Sequence, residues 1–397
     1  MEALDSWVTN RNYRAYDPGD GQLCPLEFLA FGNPFLKRLL TAVVLRAPFN
    51  IRPWIGIQPH TSTKGMGYMA WGYVKRFAQT GDSHYADRAR FCLDWLITNR
   101  APKYGQYCWG NDFDFTTRGG TIPAHEPTIV WSSLIGQAFL ETFQTLKDEK
   151  YLEVAASVAD WILTLPRERT DRGSCLSYVA YLQSSIHNSN MLGAALLANV
   201  GALTGREEAI EVAKDAMEYS CSRLDPTGFW FYGEHPKYHW IDNFHTGYNL
   251  ESLKRYLAAT GDHDYDAVLK TAFGYFKRTF FEVDGRPRYY HDRIYPIDIQ
   301  CAAQAIDTLC VFTAEDCEAL ELAKKVATWT IGNMRDTDGH FYYRDLGWTV
   351  VKTPMFHWGQ ATMFKALAHL FAEVRCGSYE KNSSNLKPSA TLPGIGI

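Results

Sequence analysis

The sequence predicts an all-α protein, a single (α/α)6 toroid in which six helical hairpins close into a ring. A two-helix unit recurs along most of the 397-residue chain, and such a repeat is typical of helical-hairpin arrays. The first helix of each unit is apolar nearly all round and the second is amphipathic, as expected for an inner and an outer ring. Six inner helices without a polar capping repeat favour a closed ring over an open superhelix.

The turn between the two helices marks each unit. A glycine suits the left-handed end of the first helix, and an aspartate suits the N-cap of the second. A second turn, after the hairpin, holds a glycine followed by aromatic residues. The hairpin turns are residues 80–82, 146–148, 204–206 and 260–262, and the aromatic runs follow Gly105, Gly173, Gly228, Gly285 and Gly339.

The inner helices are rich in glycine and alanine, which let neighbouring backbones approach closely. Five amphipathic helices follow them as outer members. A helix around Leu36 carries Leu39, Leu40 and Val43 on the same face, and we expect it to complete the outer ring. The inner helices are predicted to begin near Ser62, Thr128, Asn188, Asn243, Ile297 and Met355.

One folded domain is expected, the toroid of residues 25–376. Residues 1–24 are polar and are predicted to be an irregular N-terminal segment. Residues 377–397 contain an SSN stretch and two prolines, Pro388 and Pro393. This segment is predicted to be a disordered tail, because the last residues of a chain are poorly ordered unless they are tied down.

The bulk composition excludes several classes of protein. A formal charge of -4 gives no basic footprint, so no nucleic-acid partner is expected. Nine cysteines occur singly, without a C-x-x-C pair, which argues against a zinc site and a disulfide framework. No apolar run is long enough to span a bilayer, and the N-terminus does not resemble a signal peptide. The expectation is a cytoplasmic protein with no transmembrane segment, no metal and no other cofactor.

The stretch from Glu234 to Tyr248 concentrates histidines, an acid and aromatic residues at the start of a predicted inner helix. Because the inner helices are parallel, their N-terminal ends gather on one face of the ring, where polar groups converge. A histidine lies near almost every such start, although each histidine is equally suited to a structural role at a helix end. These histidines are His60, His125, His187, His245, His291 and His357.

Two chemistries fit the polar residues at these starts, and the sequence does not choose between them. Hydrolysis of a glycosidic bond needs two carboxyl groups ~5–9.5 Å apart, and Asp242, Asp298 and Asp114 are the candidates, although each is also a plausible N-cap. Proton abstraction beside a uronate carboxylate instead uses a histidine such as His245, with a tyrosine as acid. The predicted catalytic residues are therefore Asp242, His245, Asp298 and Asp114, and the other groups available to the second chemistry are Tyr248, Tyr290, Asn188 and Arg344.

The expected partner is a glycan, because aromatic residues cluster near the helix starts and stack well on sugar faces. An oligosaccharide, a polysaccharide, a sugar nucleotide and a lipid-linked glycan all fit this description. The predicted substrate-binding residues are Trp109, Asp112, His125, Asn188, Tyr232, Trp240, Tyr248, Tyr290, Arg344, His357 and Trp358.

Long motifs between about residues 50 and 371 read NIRPWIGI, CWGNDFDF, PTIVWSSLIGQAFL, NSNMLGAALLA, WIDNFHTGYNLESL, YYHDRIYPIDIQCAAQAI and HWGQATMF. They resemble the VpsJ-type polysaccharide biosynthesis proteins of bacterial and archaeal surface-polysaccharide gene clusters, some of which carry a label as aminolevulinate dehydratases. The resemblance implies a six-hairpin glycosidase-like fold and a role in surface-polysaccharide metabolism, and it implies no particular catalytic residue. The chain departs from the family at His357, where members have arginine, and at Thr362, where they have tryptophan.

The predicted function is a glycan-processing enzyme of the glycoside hydrolase, polysaccharide lyase or uronyl epimerase type, with a polar cleft at the inner-helix starts. The alternative is a non-catalytic glycan-binding or assembly protein, which would have an aromatic groove without paired titratable groups. A terpenoid-type α-barrel is a third possibility, and the polar inner rim argues against it. The enzyme hypothesis requires His125, His245 and Asp298 to face one hollow.

Overall fold

Six inner helices form a closed ring, which confirms the predicted (α/α)6 toroid. The computed structural model describes residues 1–25, 28, 31–117 and 120–384. Each inner helix packs against the next one in the chain, and the last packs against the first. The inner helices are α3 (Thr63–Thr80), α5 (Ile129–Leu146), α7 (His187–Thr204), α9 (Asn243–Thr260), α11 (Ile299–Val311) and α13 (Thr362–Ser384), which follows a π-helical turn, Phe356–Ala361.

Five amphipathic helices lie outside this ring and alternate with the inner helices along the chain. Each is packed against the inner helix that precedes it. Aspartate side chains accept hydrogen bonds in the first turn of three of them, as the predicted turn chemistry requires. The outer helices are α4 (Ser83–Thr98), α6 (Glu149–Leu163), α8 (Glu207–Cys221), α10 (Asp266–Thr279) and α12 (Cys317–Asn333).

The sixth outer position is taken by α1 (Glu2–Thr9), so the prediction that residues 1–24 are irregular is wrong. Leu4, Trp7 and Val8 are buried on one side of this short helix. The Tyr73 hydroxyl of α3 donates to Asp5 of α1, and the Trp7 indole N–H donates to Asp338, beyond α12. Three apolar residues spaced i, i+3 and i+4 suffice to form the helix because the ring offers them a site.

The helix that the sequence assigned to this position, α2 (Pro34–Arg46), lies elsewhere, and that assignment is wrong. Leu39 and Val43, on its predicted inner face, are exposed. The helix is held from its other side, where Val44 is buried and Thr41 lies against Gly21 so closely that a Cβ on the glycine would come within 2.9 Å. The outer ring was already complete, because α1 fills the sixth position.

The last inner helix continues to Ser384, past the boundary predicted at residue 376. No proline occurs between Phe371 and Ser384, so nothing in the backbone stops the helix there. The rest of the predicted disordered tail, residues 385–397, lies outside the described residues.

Short antiparallel strands lie at the end of the ring where the inner helices begin. Two hairpins precede α5 and α7, and a small sheet joins the start of α11 to the segment before α13. The strands are β1 (Phe115–Thr117) with β2 (Gly120–Ile122), β3 (Arg167–Thr170) with β4 (Gly173–Leu176), and β5 (Ile297–Asp298) with β6 (Arg344–Asp345) and β7 (Val350–Val351).

At five inner segments, a backbone N–H in the first turn donates a hydrogen bond to the carbonyl of a tyrosine from the neighbouring unit. These bonds matter because helix N-termini leave backbone N–H groups without an intrahelical partner. Four of the tyrosines lie in the predicted aromatic runs, and the fifth, Tyr16, lies in the N-terminal segment. The pairs are Ile129 with Tyr178, His187 with Tyr232, Asn243 with Tyr289, Ile299 with Tyr343, and Phe356 with Tyr16.

Glycines lie where inner helices approach one another most closely. In α3, a Cβ on Gly72 would come within 2.6 Å of the Phe364 ring and 3.2 Å of the Lys365 backbone, both in α13. In α9, a Cβ on Gly247 would meet Thr308 and Gln304 of α11 at 2.7 and 2.9 Å. The contact between α3 and α13 is the one that closes the ring, so Gly72 tests the closure directly.

We expect Gly72→Ala to destabilise the protein by ~1–3 kcal/mol, because overpacking a tight helix contact forces a backbone shift. Gly332→Ala in α12 is the matched control, since a Cβ there meets nothing within 4 Å. It should be neutral or stabilise by up to ~1 kcal/mol, as alanine favours a helix over glycine. Denaturant unfolding of both variants gives the comparison, and equal stabilities would contradict close packing at Gly72.

Candidate functional site

A cavity of about 400 Å³ opens at the end of the ring where the inner helices begin. Its walls come from the segments before α5, α7, α9 and α11 and from the first turn of α9. Of the fifteen described residues that line it, six are tyrosines and one is a tryptophan, and His245 supplies the one imidazole among them. The principal lining side chains are Tyr178, Tyr181, Tyr232, Tyr238, Trp240, His245, Tyr289 and Tyr290.

Asp242 fixes the orientation of His245. It is the N-cap of α9: one carboxylate oxygen accepts the His245 backbone N–H at 2.9 Å. The other oxygen lies 2.6 Å from Nδ1 of the same histidine and also accepts the Trp240 indole N–H at 2.9 Å. Because a carboxylate only accepts hydrogen bonds, Nδ1 carries the proton in the neutral ring. The Nε2 lone pair is then the basic group that His245 can offer to the cavity.

Aromatic packing holds this imidazole in place. The Tyr232 ring stacks on Trp240 with ring centres 4.4 Å apart and contacts His245 at 4.5 Å. Phe244 contacts the imidazole at 3.9 Å from another side. Burial and the nearby Asp242 charge raise the pKa of Tyr232 well above its ordinary value, so this phenol stays protonated and can donate a hydrogen bond.

Asp298 has a similar double role at the start of α11. One oxygen accepts the Gln300 N–H and the Trp358 indole N–H, both at 2.8 Å. The other accepts two N–H groups of Arg344, at 2.7 and 2.5 Å. The ion pair with Asp298 and two neighbouring tyrosines hold the pKa of Arg344 above its ordinary value despite burial. Asp298 is fully buried and saturated with donors, so it positions Arg344 and Trp358 and is not exposed as an acid.

A second Asp–His pair lies at the start of the last inner segment. Asp17 accepts the backbone N–H groups of His357 and Trp358, and its other oxygen lies 2.8 Å from His357 Nδ1. The Trp358 ring meets Phe244, which in turn contacts His245, so the two pairs are linked through aromatic contacts.

Lys64, in the first turn of α3, is buried among aromatic rings at this end of the ring. Its Nζ lies 5.1 Å from the centre of the Trp131 ring and 5.5 and 5.7 Å from those of Tyr68 and Tyr248. Burial lowers the pKa of Lys64 to about 7, although the charge of Asp17 acts in the opposite direction. The two tyrosine hydroxyls are bonded to each other at 2.7 Å, and the Gln300 amide donates to that of Tyr248.

The predicted site residues divide into three groups. Four line the cavity: Tyr232, Trp240, His245 and Tyr290. Seven are buried or half-buried near the inner-helix starts without lining it: Asp242, Tyr248, Asp298, Arg344, His357, Trp358 and Asn188. Four lie apart from it: Asp112, Asp114 and His125 are exposed in the segment before α5, and Trp109 is fully buried.

Three of these placements overturn predicted roles. Trp109 stacks on Phe139 and donates to the Leu96 carbonyl, so it is a core residue and has no face for a ligand. Asp114 accepts the backbone N–H of Ala124 in an exposed loop. Asp298 is saturated by Arg344 and Asp114 lies in an exposed loop, so neither is available as a member of the expected carboxylate pair. Of His125, His245 and Asp298, which the enzyme hypothesis required to face one hollow, His245 alone lines the cavity. The hypothesis fails in that form, and any catalytic role of the cavity has to rest on His245.

Several residues of the site were missed by sequence reasoning. Tyr178 and Tyr289 belong to the aromatic runs that were recognised as a repeat, so their signal was present. Lys64 had a weaker signal, as a charge directly before a stretch of apolar and small residues, 65–74. Asp17 had none, because it bonds a residue 340 positions away.

The described residues contain no group of three His, Cys, Asp or Glu side chains that could hold a metal ion. The eight cysteines described are free thiols, and burial raises the pKa of several of them, among them Cys175 and Cys301. Among the helices described, none combines the length and apolar character needed to cross a bilayer.

Solved structures of sugar enzymes share this fold. A cellobiose 2-epimerase from Bacillus thermoamylovorans matches with a TM-score of 0.61 and 11% identity over 80% of this chain and 90% of its own. A GH76 alpha-mannanase from Bacteroides thetaiotaomicron matches at 0.59 and 13%, over 82% and 88%. A D-mannose isomerase matches at 0.59 and 12%, over 79% and 87%.

At identities this low, the likeness shows the (α/α)6 toroid fold alone and leaves the reaction open. No family model matches the sequence, and no curated protein matches it. The resemblance to the VpsJ-type proteins therefore stays a prediction.

The depressed pKa of Lys64 predicts a specific dependence of stability on pH. The unfolded chain keeps the Lys64 proton up to its ordinary pKa of 10.5, whereas the folded chain loses it above about 7. Because the unfolded state binds more protons in that window, raising the pH stabilises the folded protein by ~1.4 kcal/mol per pH unit.

Lys64→Met removes this contribution. We expect the stability of the wild type relative to this variant to rise with pH across that window, measured by denaturant unfolding. Lys270→Met, at an exposed position in α10, is the matched control and should show no such trend. A flat difference for Lys64→Met would contradict a neutral buried amine.

Proposed function

We propose that the chain is a carbohydrate-active enzyme that moves a proton at the carbon beside a sugar carbonyl, as a sugar epimerase or isomerase does. One observation carries the proposal. Among the described residues that line the cavity, none is an aspartate or glutamate, and the one imidazole is held by a buried carboxylate. A cavity of this composition suits a single oriented base better than a pair of carboxylic acids.

His245 is the proposed base. Its Nε2 removes the proton from the carbon next to the carbonyl of an open-chain sugar, and Asp242 stabilises the imidazolium that forms. The resulting enediolate carries negative charge on the former carbonyl oxygen, which needs a hydrogen-bond donor. Burial raises the pKa of Tyr289, which lines the same cavity, so its phenol stays protonated and can donate there. If the intermediate turns so that its other face meets the imidazolium, return of the proton from Nε2 to the same carbon gives an epimer. Return of that proton to the neighbouring carbon, with the hydroxyl proton passing from the second oxygen to the first, gives an isomer.

Glycoside hydrolysis has less support. It needs two available carboxyl groups, and Asp242 and Asp298 are both buried and bonded to several donors. The fold is compatible with either chemistry, since a mannanase and an epimerase both have it. The resemblance to surface-polysaccharide proteins is the basis for proposing a sugar of that pathway as substrate.

Glycan binding without turnover is the second candidate. The abundance of aromatic side chains in the lining favours it, because six tyrosines and one tryptophan offer rings on which a sugar can stack. In that case His245 would serve as a hydrogen-bonding group and Asp242 as its support. The two candidates differ in whether a carbon-bound proton exchanges with solvent.

The test is incubation in D2O with glucose, mannose, cellobiose and glucuronate, followed by mass spectrometry and NMR of the recovered sugar. We expect deuterium at the carbon beside the carbonyl, together with an epimer or isomer. His245→Asn should abolish the exchange. Asp242→Asn should slow it by ~10²–10⁴ while the fold persists, because asparagine is also a good N-cap.

His263→Asn is the matched control, since this histidine is exposed at the start of α10, outside the cavity lining. Its exchange rate should equal that of the wild type. Binding of a sugar with no deuterium uptake would favour the binding protein instead. New reducing ends from a manno-oligosaccharide, with no deuterium at carbon, would favour the hydrolase.

A further inference from the structure

A second and much smaller cavity lies near the axis of the ring. Its lining comes from four inner helices and includes Trp71 of α3, Ser133 of α5, Leu192 of α7 and Ser252 of α9. In the order of packing around the ring, α3 and α9 stand opposite each other. A cavity that both of these helices line must therefore be close to the axis.

Three polar groups at this cavity are buried and have no hydrogen-bond partner in the described part of the chain. They are the Trp71 indole N–H and the hydroxyls of Ser133 and Ser252. Each of these residues is at most 2% exposed. Buried polar groups are hydrogen-bonded with few exceptions, so three of them around one cavity need a common explanation.

A fourth polar group at the cavity is the carboxyl group of Glu251, one residue before Ser252 in α9. Gln304 and Thr308 of α11 both donate to its Oε1, so its Oε2 is available as a further acceptor. Burial and the nearby charge of Asp307 raise the pKa of Glu251. A ligand beside this group should therefore suit the carboxylic acid as well as the carboxylate.

The size of the cavity fits one water molecule. It leaves about 20 Å³ for the centre of a water-sized sphere, and a site needs ~10–15 Å³ on this measure to hold a water. Buried waters typically make about three hydrogen bonds to polar groups that otherwise have none. The indole N–H, the two serine hydroxyls and the carboxyl group can supply that number.

We infer that this cavity binds one ordered water molecule, which we call the axial water. The axial water accepts a hydrogen bond from the Trp71 N–H and donates one to Glu251. The hydroxyls of Ser133 and Ser252 complete its shell, since a hydroxyl can donate or accept as needed. These bonds connect inner helices on opposite sides of the ring.

Water suits this site better than an ion does. A cation would meet the positive charge of Arg255, which lines the cavity, and that of Lys365, whose Nζ lies 4.0 Å from the centre of the Trp71 ring. An anion would meet the carboxylate of Glu251. A water molecule both donates and accepts, so it can bond to either form of that carboxyl group and also to the indole N–H.

The axial water supports the helix that carries His245. Glu251 and Ser252 follow His245 by about two helical turns in α9. Hydrogen bonds from this part of α9 through the water to Trp71 hold the helix against α3 on the other side of the ring. This role does not depend on the proposed reaction.

The direct test is a crystal structure of the wild-type chain at a resolution that shows ordered waters. We expect one water within ~2.7–3.2 Å of Trp71 Nε1, of a Glu251 oxygen and of at least one of the two serine hydroxyls. No density in the cavity would overturn the inference, and so would a peak with the coordination of an ion. Serine hydroxyls that donate to carbonyls of their own helices would overturn it as well, because the site would then lack two of its partners.

Water magnetic relaxation dispersion tests the same inference in solution, because it counts internal waters that exchange slowly with the bulk. Ser133→Val puts two methyl groups into the cavity, so the number of such waters should fall by one. Ser133→Ala leaves room for the water and keeps its other partners, so the number should equal that of the wild type.

Ser83→Val is the matched control, since Ser83 is exposed at the start of α4, and it should leave the number unchanged. Ser252→Val is a second variant that fills the cavity, and it too should lose one water. Equal numbers for the wild type and both filling variants would contradict an axial water. The wild-type crystal structure decides the question even if neither filling variant folds.

Discussion

The hydrogen bond from the start of an inner helix to a tyrosine carbonyl of the next unit is the contact on which the toroid depends. It satisfies a backbone donor that would otherwise be buried without a partner. It also anchors the loop that contains the tyrosine to the end of the ring where the inner helices begin. The carbonyls of Tyr178, Tyr232 and Tyr289 hold α5, α7 and α9, and the side chains of the same three residues line the cavity. The same loops therefore hold three successive inner helices and build one wall of the site, and Tyr16 extends the hydrogen-bond pattern to the last inner segment.

The buried aspartates show how one side chain can serve a helix and a site together. In Asp242 and Asp298, one carboxylate oxygen accepts a first-turn N–H and the other holds a functional side chain, His245 or Arg344. The capping hydrogen bond holds the carboxylate in place, so its second oxygen is a fixed acceptor for the side chain that it orients. From the sequence, capping and acid catalysis were competing explanations of these residues, and the structure gives a third in which the carboxylate orients its neighbour.

The ring itself was predictable because its signals are local and repeated. Glycine turns, aspartate caps and two kinds of helix recur, and the six predicted inner starts agree closely with the structure. The ends of the chain were not predictable in the same way. The helix α1 is too short to give a strong pattern, and α2 has a strong amphipathic pattern whose apolar side faces outward. The spacing of apolar residues in the sequence shows that a helix has an apolar face. The packing of the whole chain determines whether that face is buried or exposed.

The site was predictable in part for the same reason. His245, Tyr232, Trp240 and Tyr290 lie in segments of unusual composition next to a helix start, and all four line the cavity. The partnership of Asp17 with His357 joins the two ends of the chain and has no local signal. Availability of a carboxylate depends on what bonds to it. Asp298 is saturated largely by donors from later in the chain, Arg344 and Trp358, and Asp242 by donors at its own helix start.

A crystal structure with an open-chain sugar alcohol, such as mannitol or sorbitol, most directly tests the claim that His245 is a base aimed into the cavity. The ligand should lie among Tyr232, Trp240 and Tyr289. Its second carbon should be in van der Waals contact with His245 Nε2, or the hydroxyl of that carbon should be hydrogen-bonded to Nε2, while Nδ1 stays on Asp242. A ligand bound outside this cavity, or an imidazole turned so that Nε2 meets Asp242, would contradict it.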